Sequence, residues 1–430
     1  MNADWMMNLS LLWRGASEVF PYFNQRDVDW DEAYAAFLPR MHAAGDAREA
    51  YLLLAEFAAL LGDGHTDVSL PRALLEEIGY LPFQLRHIGE SWFVSAAARE
   101  GRHVLTGRIE QLNGQPFARW LERLFTYIHQ VDGHPSPSRV ARFLPLLLPK
   151  TDNLLETSRG AWRFDLQPEA PAMVDAPAMA PSLPCRELLA AEHMRLRLFE
   201  GDILCVGLPD FLDSKAADTL RQAIGTLPRL RGVILDARGS IGGMTFFGAN
   251  IARLFIPGQF HACRKWTRTM EGVDFASASQ IVRMSAKALQ TMEVDQAEVN
   301  RSLRLGRRSL FSEYEDSHGQ PGDRALFDGP CILLTDRDTL SAAEDFTAMF
   351  RATGRATILG ERTYGSTGTP LLLPLRGGGT ARVVSVGYRL LDGTAFINRG
   401  IQPDVPFALS PGDWQAGRDR LLDEAVRRLS

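Results

Sequence analysis

Cysteine is scarce: 4 in 430 residues, at Cys185, Cys205, Cys263 and Cys331, with no Cys-x-x-C spacing among them. Paired-cysteine metal and redox motifs are therefore missing. Cys205 and Cys331 lie inside apolar runs, so buried free thiols are expected in place of disulfides. Runs of lysine or arginine are also lacking, and the formal net charge is −5, which argues against a nucleic-acid partner. No stretch has the apolar length of a membrane span. The opening MNADWMMNLSLLWRG has neither a basic leader nor the apolar core of a signal peptide, so a cytoplasmic chain is the expectation. Against these absences, 45% hydrophobic and 23% charged residues are ordinary for a globular protein, with length for two or three domains.

The most informative stretch runs from Ile332 to Gly368. An apolar strand (Ile332–Leu334) turns at Thr335–Thr339, and Ser341 opens a helix carrying Phe346, Met349 and Phe350 at helical spacing. A second strand, Ala356–Leu359, ends in a glycine-rich turn. A serine at the start of a helix sits beside unpaired backbone N–H groups that stabilise developing negative charge, although a plain N-cap occupies the same position. Upstream, Arg231–Ala237 reads as a fully buried strand ending in Asp236-Ala237-Arg238-Gly239-Ser240-Ile241-Gly242-Gly243, followed by a helix over Phe246–Phe255. Neither a dinucleotide fingerprint nor a Walker lysine accompanies these glycines. A tight turn and a backbone anion hole both remain open.

Before residue 75 the apolar residues fall at spacings of three and four in Asp31–Met41 and Arg48–Leu61, which predicts a small helical bundle. Gly62 and Gly64 break the second helix around Asp63 and leave His65 on a turn before a strand at Asp67–Leu70. Short strands are expected at Leu81–Arg86, Trp92–Ala96 and His103–Leu105, then helices at Phe117–Ile128 and Val140–Leu148. The histidines His129 and His134 read as surface residues. Gln167–Pro184, rich in Pro, Ala and Met, reads as a mobile linker or a loop excursion. Beyond it, strand Ile203–Leu208, helix Ala216–Leu227, the strands and helices above, a hairpin of Leu371–Leu375 with Ala381–Val386, and a final helix Arg418–Leu429 argue for an α/β layered core.

Three motifs carry a resemblance. T-x-S-A-A-E-x-F followed by G-R-A-x-x-x-G-E-x-T-x-G (from Thr339), L-x-D-G-H-T (ending at Thr66) and the glycine stretch from Asp236 are similar, in order, to the C-terminal processing peptidase and tricorn-like serine peptidase family. The resemblance implies a Clp protease/crotonase-like layered core, with Ser341 as nucleophile and His65 as general base. It implies the N–H groups of Ala342 and of Gly242 or Gly243 as oxyanion donors, a peptide or protein substrate, and no cofactor or metal. G-x-I-x-x-L-N-G-x-P (107–116) resembles the end of a PDZ-like module, and the closing G-I-x-P-D-V (400–405) resembles the family's last signature, read here as a structural turn.

Two departures matter. Ser366 stands where the Ser–Lys branch of the family carries lysine, and Ile397-Asn398 stands where some Ser–His members carry a carboxylate. Glu344, Glu361 and Asp63 are then the candidates to orient His65, with Ser366 as a further supporting residue. The domains expected are a helical bundle (1–75), a PDZ-like β module with helices (76–165), a linker (166–184) and the α/β core (185–430). Residues 260–325 read as an insertion or lid with a helical run over 277–304. A homo-oligomer fits this organisation. Two rival readings keep the fold: a non-catalytic binder of peptides or apolar ligands, and an esterase using the same Ser–His pair.

Overall fold

The structure is a computed structural model that describes residues 2–227, 230–269, 281, 284–291, 296–306, 308 and 310–430. The chain divides into two compact units that do not follow sequence blocks. One gathers Met1–Arg72, Arg264–Tyr314 and Gly368–Tyr388; the other gathers Ala73–Cys263, Glu315–Thr367 and Arg389–Ser430. Sequence reading drew 185–430 as one block, whereas two of its segments fold with the N-terminal helices.

In the first unit, helices Asn2–Val19, Trp30–Ala43 and Ala47–Ala59 form the expected bundle. Asp29 and Asp46 start the second and third by accepting first-turn N–H groups, which relieves the unpaired donors of a helix end. Trp30 stacks on Phe57 at 4.1 Å between ring centroids and seals the bundle core. Strand Asp67–Ser69 pairs antiparallel with Thr380–Val384, which pairs in turn with Pro370–Pro374. The predicted hairpin is therefore present, and it is joined to the strand that follows His65. Helix Ala286–Thr291 falls within the expected helical run over 277–304, and Gln296–Gly306 begins in it and ends past it; residues 277–280, 282–283 and 292–295 lie outside the described residues.

The second unit is built on a seven-stranded sheet. Cys185–Ala190 and Arg195–Phe199 add to one side in antiparallel fashion. Ile203–Gly207, Gly232–Asp236, Cys331–Thr335, Thr357–Gly360 and Val405–Pro406 then run parallel. Every residue of Cys331–Thr335 is buried, as a central parallel strand covered on both faces requires. Ile234, Ile332, Leu334 and Leu359 pack with Leu421, Leu422, Ala425 and Val426 of helix Arg420–Leu429. Phe211, Phe346 and Phe350 make a second apolar seam, with ring centroids 5.1 and 4.9 Å apart along it. Cys205 and Cys331 are buried thiols, each pushed up to about 12 by burial.

Four expectations are corrected. His103–Leu105 is not a strand but part of a 3-10 helix, Arg99–Val104, whose Gly101 packs directly against Trp162. Val140–Leu148 is a short α-helix, Pro137–Phe143, that tightens into a 3-10 turn at Pro145, because proline cannot donate the next helical bond. The 166–184 segment is held in place: Val174–Asp175 pairs with the strand ending at Ala97, and Ser182 donates from backbone and hydroxyl to Asp423. His134 is half-buried; its Nδ1 lies 3.3 Å from His87 Nε2, and its Nε2 accepts from Arg337 at 2.6 Å. Burial, then His134 and Arg337, push His87 down to about 3. Among the described residues no helix is long and apolar enough to cross a membrane.

Candidate active site

Ser341 occupies the sharp passage between strand Cys331–Thr335 and helix Ala342–Thr353, at φ 60° and ψ −130°. For a residue with a Cβ such a conformation costs about 1–3 kcal/mol and persists only where surroundings over-determine it. Here two other loops do so. From one, Ala237 O accepts the Thr339 hydroxyl at 2.9 Å, Gly239 N–H donates to Asp336 at 2.9 Å, and Ser240 O accepts the Leu340 N–H at 3.1 Å. From the other, Ser366 O accepts the Ser341 N–H at 2.8 Å and Tyr364 N–H donates to Thr339 O at 2.9 Å. The serine side chain makes no capping bond to its helix, so the plain N-cap alternative does not describe it.

The glycine turn lies directly against this serine. A Cβ on Gly242 would sit 2.5 Å from Ser341 Cβ and 2.8 Å from the Ala342 nitrogen, and Gly242 has φ +82°. Only glycine permits that approach. At Gly243 (φ +142°) the same atom would meet the Phe211 carbonyl oxygen at 2.5 Å, so Gly243 faces the neighbouring chain segment. Among the described residues, the N–H groups of Ala342, Gly242 and Gly243 have no acceptor. Unpaired N–H groups on buried residues such as Ala342 and Gly242 are rare, whereas Gly243 is exposed. Arg238 roots the turn with two forked pairs, to Asp236 at 2.7 and 2.8 Å and to Asp419 at 2.8 Å.

Glu344, wholly buried, accepts from Thr363 (2.5 Å), Gly365 N–H (2.8 Å) and Ser366 N–H (2.5 Å). Burial pushes its carboxyl up to about 7 against those three bonds. Its oxygens are engaged with the 363–366 loop, so it supports the serine through Ser366. Glu361 takes a different direction and pairs with Arg337 at 3.1 Å. Asp345, which sequence reasoning passed over, receives the hydroxyls of Thr245 (2.5 Å) and Thr367 (2.8 Å). The closing motif clamps the same loop: Ile401 N–H donates to Thr363 Oγ1 and Asn398 N–H to Gly365 O, both at 2.7 Å. Its Gly400 lies so close to the Thr363 carbonyl that any side chain would collide.

His65 belongs to the other compact unit. It is 8% exposed, in the turn after helix Ala47–Ala59, and its N–H donates to Asp63 at 2.7 Å. Arg26 grips the carbonyls of Leu61 (2.7 Å) and Gly62 (2.8 Å) behind it.

The second compact unit therefore brings Ser341, Ala342 and Gly242 together with Glu344 and Ser366. Residues 202–407, which hold all of these, match peptidase family S41. The chain is 34% identical over 105 residues to a tricorn protease homolog (homolog 2) of Streptomyces coelicolor; that match spans 23% of this chain and only 9% of that relative. Among solved structures, mature CPAF complexed with lactacystin is similar at TM-score 0.72 and 15% identity, over 100% of this chain and 98% of that one. The photosystem II D1 C-terminal processing protease is similar at TM-score 0.51 and 17% identity, over 97% of each chain. At these identities the two structures speak for a shared mixed α/β fold.

Proposed function

We propose that this chain hydrolyses peptide bonds through an acyl-enzyme on Ser341. The observation that carries the reading is the contact of Gly242 with a strained, non-capping Ser341, beside N–H groups that have no acceptor among the described residues. The Ser341 Oγ attacks the carbonyl carbon of the scissile bond while His65 takes its proton. The negative oxygen is held by Ala342 N–H and by Gly242 or Gly243 N–H. His65 then returns the proton to the leaving amine, and water repeats the sequence to release the acid. Asp63 is the carboxylate on the His65 turn, and its bond to the backbone holds that turn in shape. The extended strands between Phe83 and Phe164 serve, on this reading, as a PDZ-like module that receives an extended peptide, beside a crotonase-like core.

A fluorophosphonate probe followed by peptide mapping tests this. Labelling at Ser341 that is lost in both Ser341→Ala and His65→Ala is the expected result. Labelling at another serine, or none on folded protein, overturns the assignment. Comparing hydrolysis of peptides with that of small esters then separates peptidase from esterase.

A further inference from the structure

We infer that His193 and Asp210 form a positioning pair that sets the aim of the Gly242–Gly243 turn from behind; this rests on the oxyanion role proposed for that turn. His193 sits in the bend between strands Cys185–Ala190 and Arg195–Phe199. Its Nδ1 lies 2.9 and 3.0 Å from the two oxygens of Asp210. Asp210 Oδ1 also accepts the Leu212 N–H at 3.0 Å, which closes a local turn over Phe211.

Phe211 is the residue that grips the glycines. Its N–H donates to Gly242 O at 2.9 Å and its carbonyl accepts the Met244 N–H at 2.9 Å, while Pro209 O accepts the Ile241 N–H at 3.2 Å. In a trans peptide the C=O and N–H point in opposite directions. By holding the Gly242 carbonyl, Phe211 therefore turns the Gly243 N–H away from itself. A tilt of the 210–212 turn tilts that peptide plane and misdirects the donor. Oxyanion stabilisation depends on donors already aimed before the charge develops. Neither His193 nor Asp210 needs to touch substrate for this.

The charged groups facing His193 are Asp210, Glu192 and Asp213, and the Asp210 hydrogen bond leads in raising the imidazole above its ordinary range. The ion pair is thus complete below the ordinary histidine value and is lost as pH rises through the raised one. Above it a neutral hydrogen bond remains, so the effect is a partial step.

The test compares His193→Ala, His193→Gln and Asp210→Asn with the parent chain in three readouts. These are kcat and KM for peptide hydrolysis across pH, the rate of Ser341 acylation by the probe, and deuterium uptake of a peptide covering 240–247. His193→Ala is expected to lower kcat and acylation about fivefold with KM unchanged, and to speed exchange at 240–247. His193→Gln, which keeps an N–H donor, is expected to restore most of kcat and to lack the alkaline step. Unchanged kcat, pH profile and exchange overturn the inference, as does a loss of activity matched by a general loss of thermal stability. Should the parent chain not be acylated at Ser341, the proposed function falls. Exchange at 240–247 then decides the pairing alone: faster in His193→Ala supports it, and unchanged overturns it.

Discussion

The Ser341 turn and the His65 turn solve one problem by different means. Both hold a polar residue where regular structure breaks off. The Ser341 turn places positive φ on a residue with a Cβ and is fixed chiefly by backbone bonds from two distant loops, with the Thr339 hydroxyl and the Asp336 carboxylate added. The His65 turn places positive φ on Gly62 (+58°) and adds side chains to its local backbone bonds, Arg26 on two carbonyls and Asp63 on the His65 N–H. A backbone frame has no rotamers to lose and tolerates no intrusion into its walls. A side-chain frame gives way gradually, because each bond can be lost singly.

The sharpest way to break the comparison is Gly242→Ala. The added methyl enters the serine's van der Waals space at a φ that alanine resists. Ser341 acylation is expected to fall by about 100-fold or more, and a rate within a few-fold of the parent chain would show that the wall is soft. Next comes the buried charge beneath the frame. Burial raises both Glu344 and Asp338, each to about 7. A carboxyl that is harder to ionise folded than unfolded binds more protons when native, so stability falls as pH rises from the ordinary carboxyl range to about 7. Each group contributes on the order of a few kcal/mol. Denaturant unfolding of Glu344→Gln and Asp338→Asn should show that slope flattened, and an unaltered slope would count against burial as its cause.

On the side-chain frame, Arg26→Ala leaves two carbonyls without their donor and is expected to cost about 1–3 kcal/mol. Its activity loss should be graded and smaller than that of Gly242→Ala. The smallest effect is expected at Ser240, whose buried hydroxyl has no partner among the described residues while its carbonyl serves Leu340. Ser240→Ala should change stability by less than about 1 kcal/mol and leave acylation unchanged. A large loss there would mean that the hydroxyl matters to the turn.

Much of this was legible in the sequence because it is local. The strand–turn–serine–helix order, the glycine cluster after a buried strand and the helix broken before His65 each follow from periodicity and breakers within a dozen residues. What was hidden is long-range. Glu344 reads in the sequence as a candidate to orient His65, and only the loop at 363–366, brought over it by the fold, shows what it holds. Arg238 and Asp419 meet across 181 positions, which no spacing rule reaches. The pair Cys185–Ala190 and Arg195–Phe199 escaped notice because the first strand is largely exposed and lacks apolar alternation. His193 was equally unmarked, its partner Asp210 standing beyond a whole further strand.

The clamp of the closing motif on the Thr363 loop bears on timing during synthesis. Chain emerging in order exposes Ser341 well before Asn398, Gly400 and Ile401 exist to grip residues 363–365. Until they do, the floor that receives the Ser341 N–H lacks its latch, and a strained serine without its floor relaxes toward an ordinary turn. A growing chain thus completes its serine turn only after Ile401 has been made.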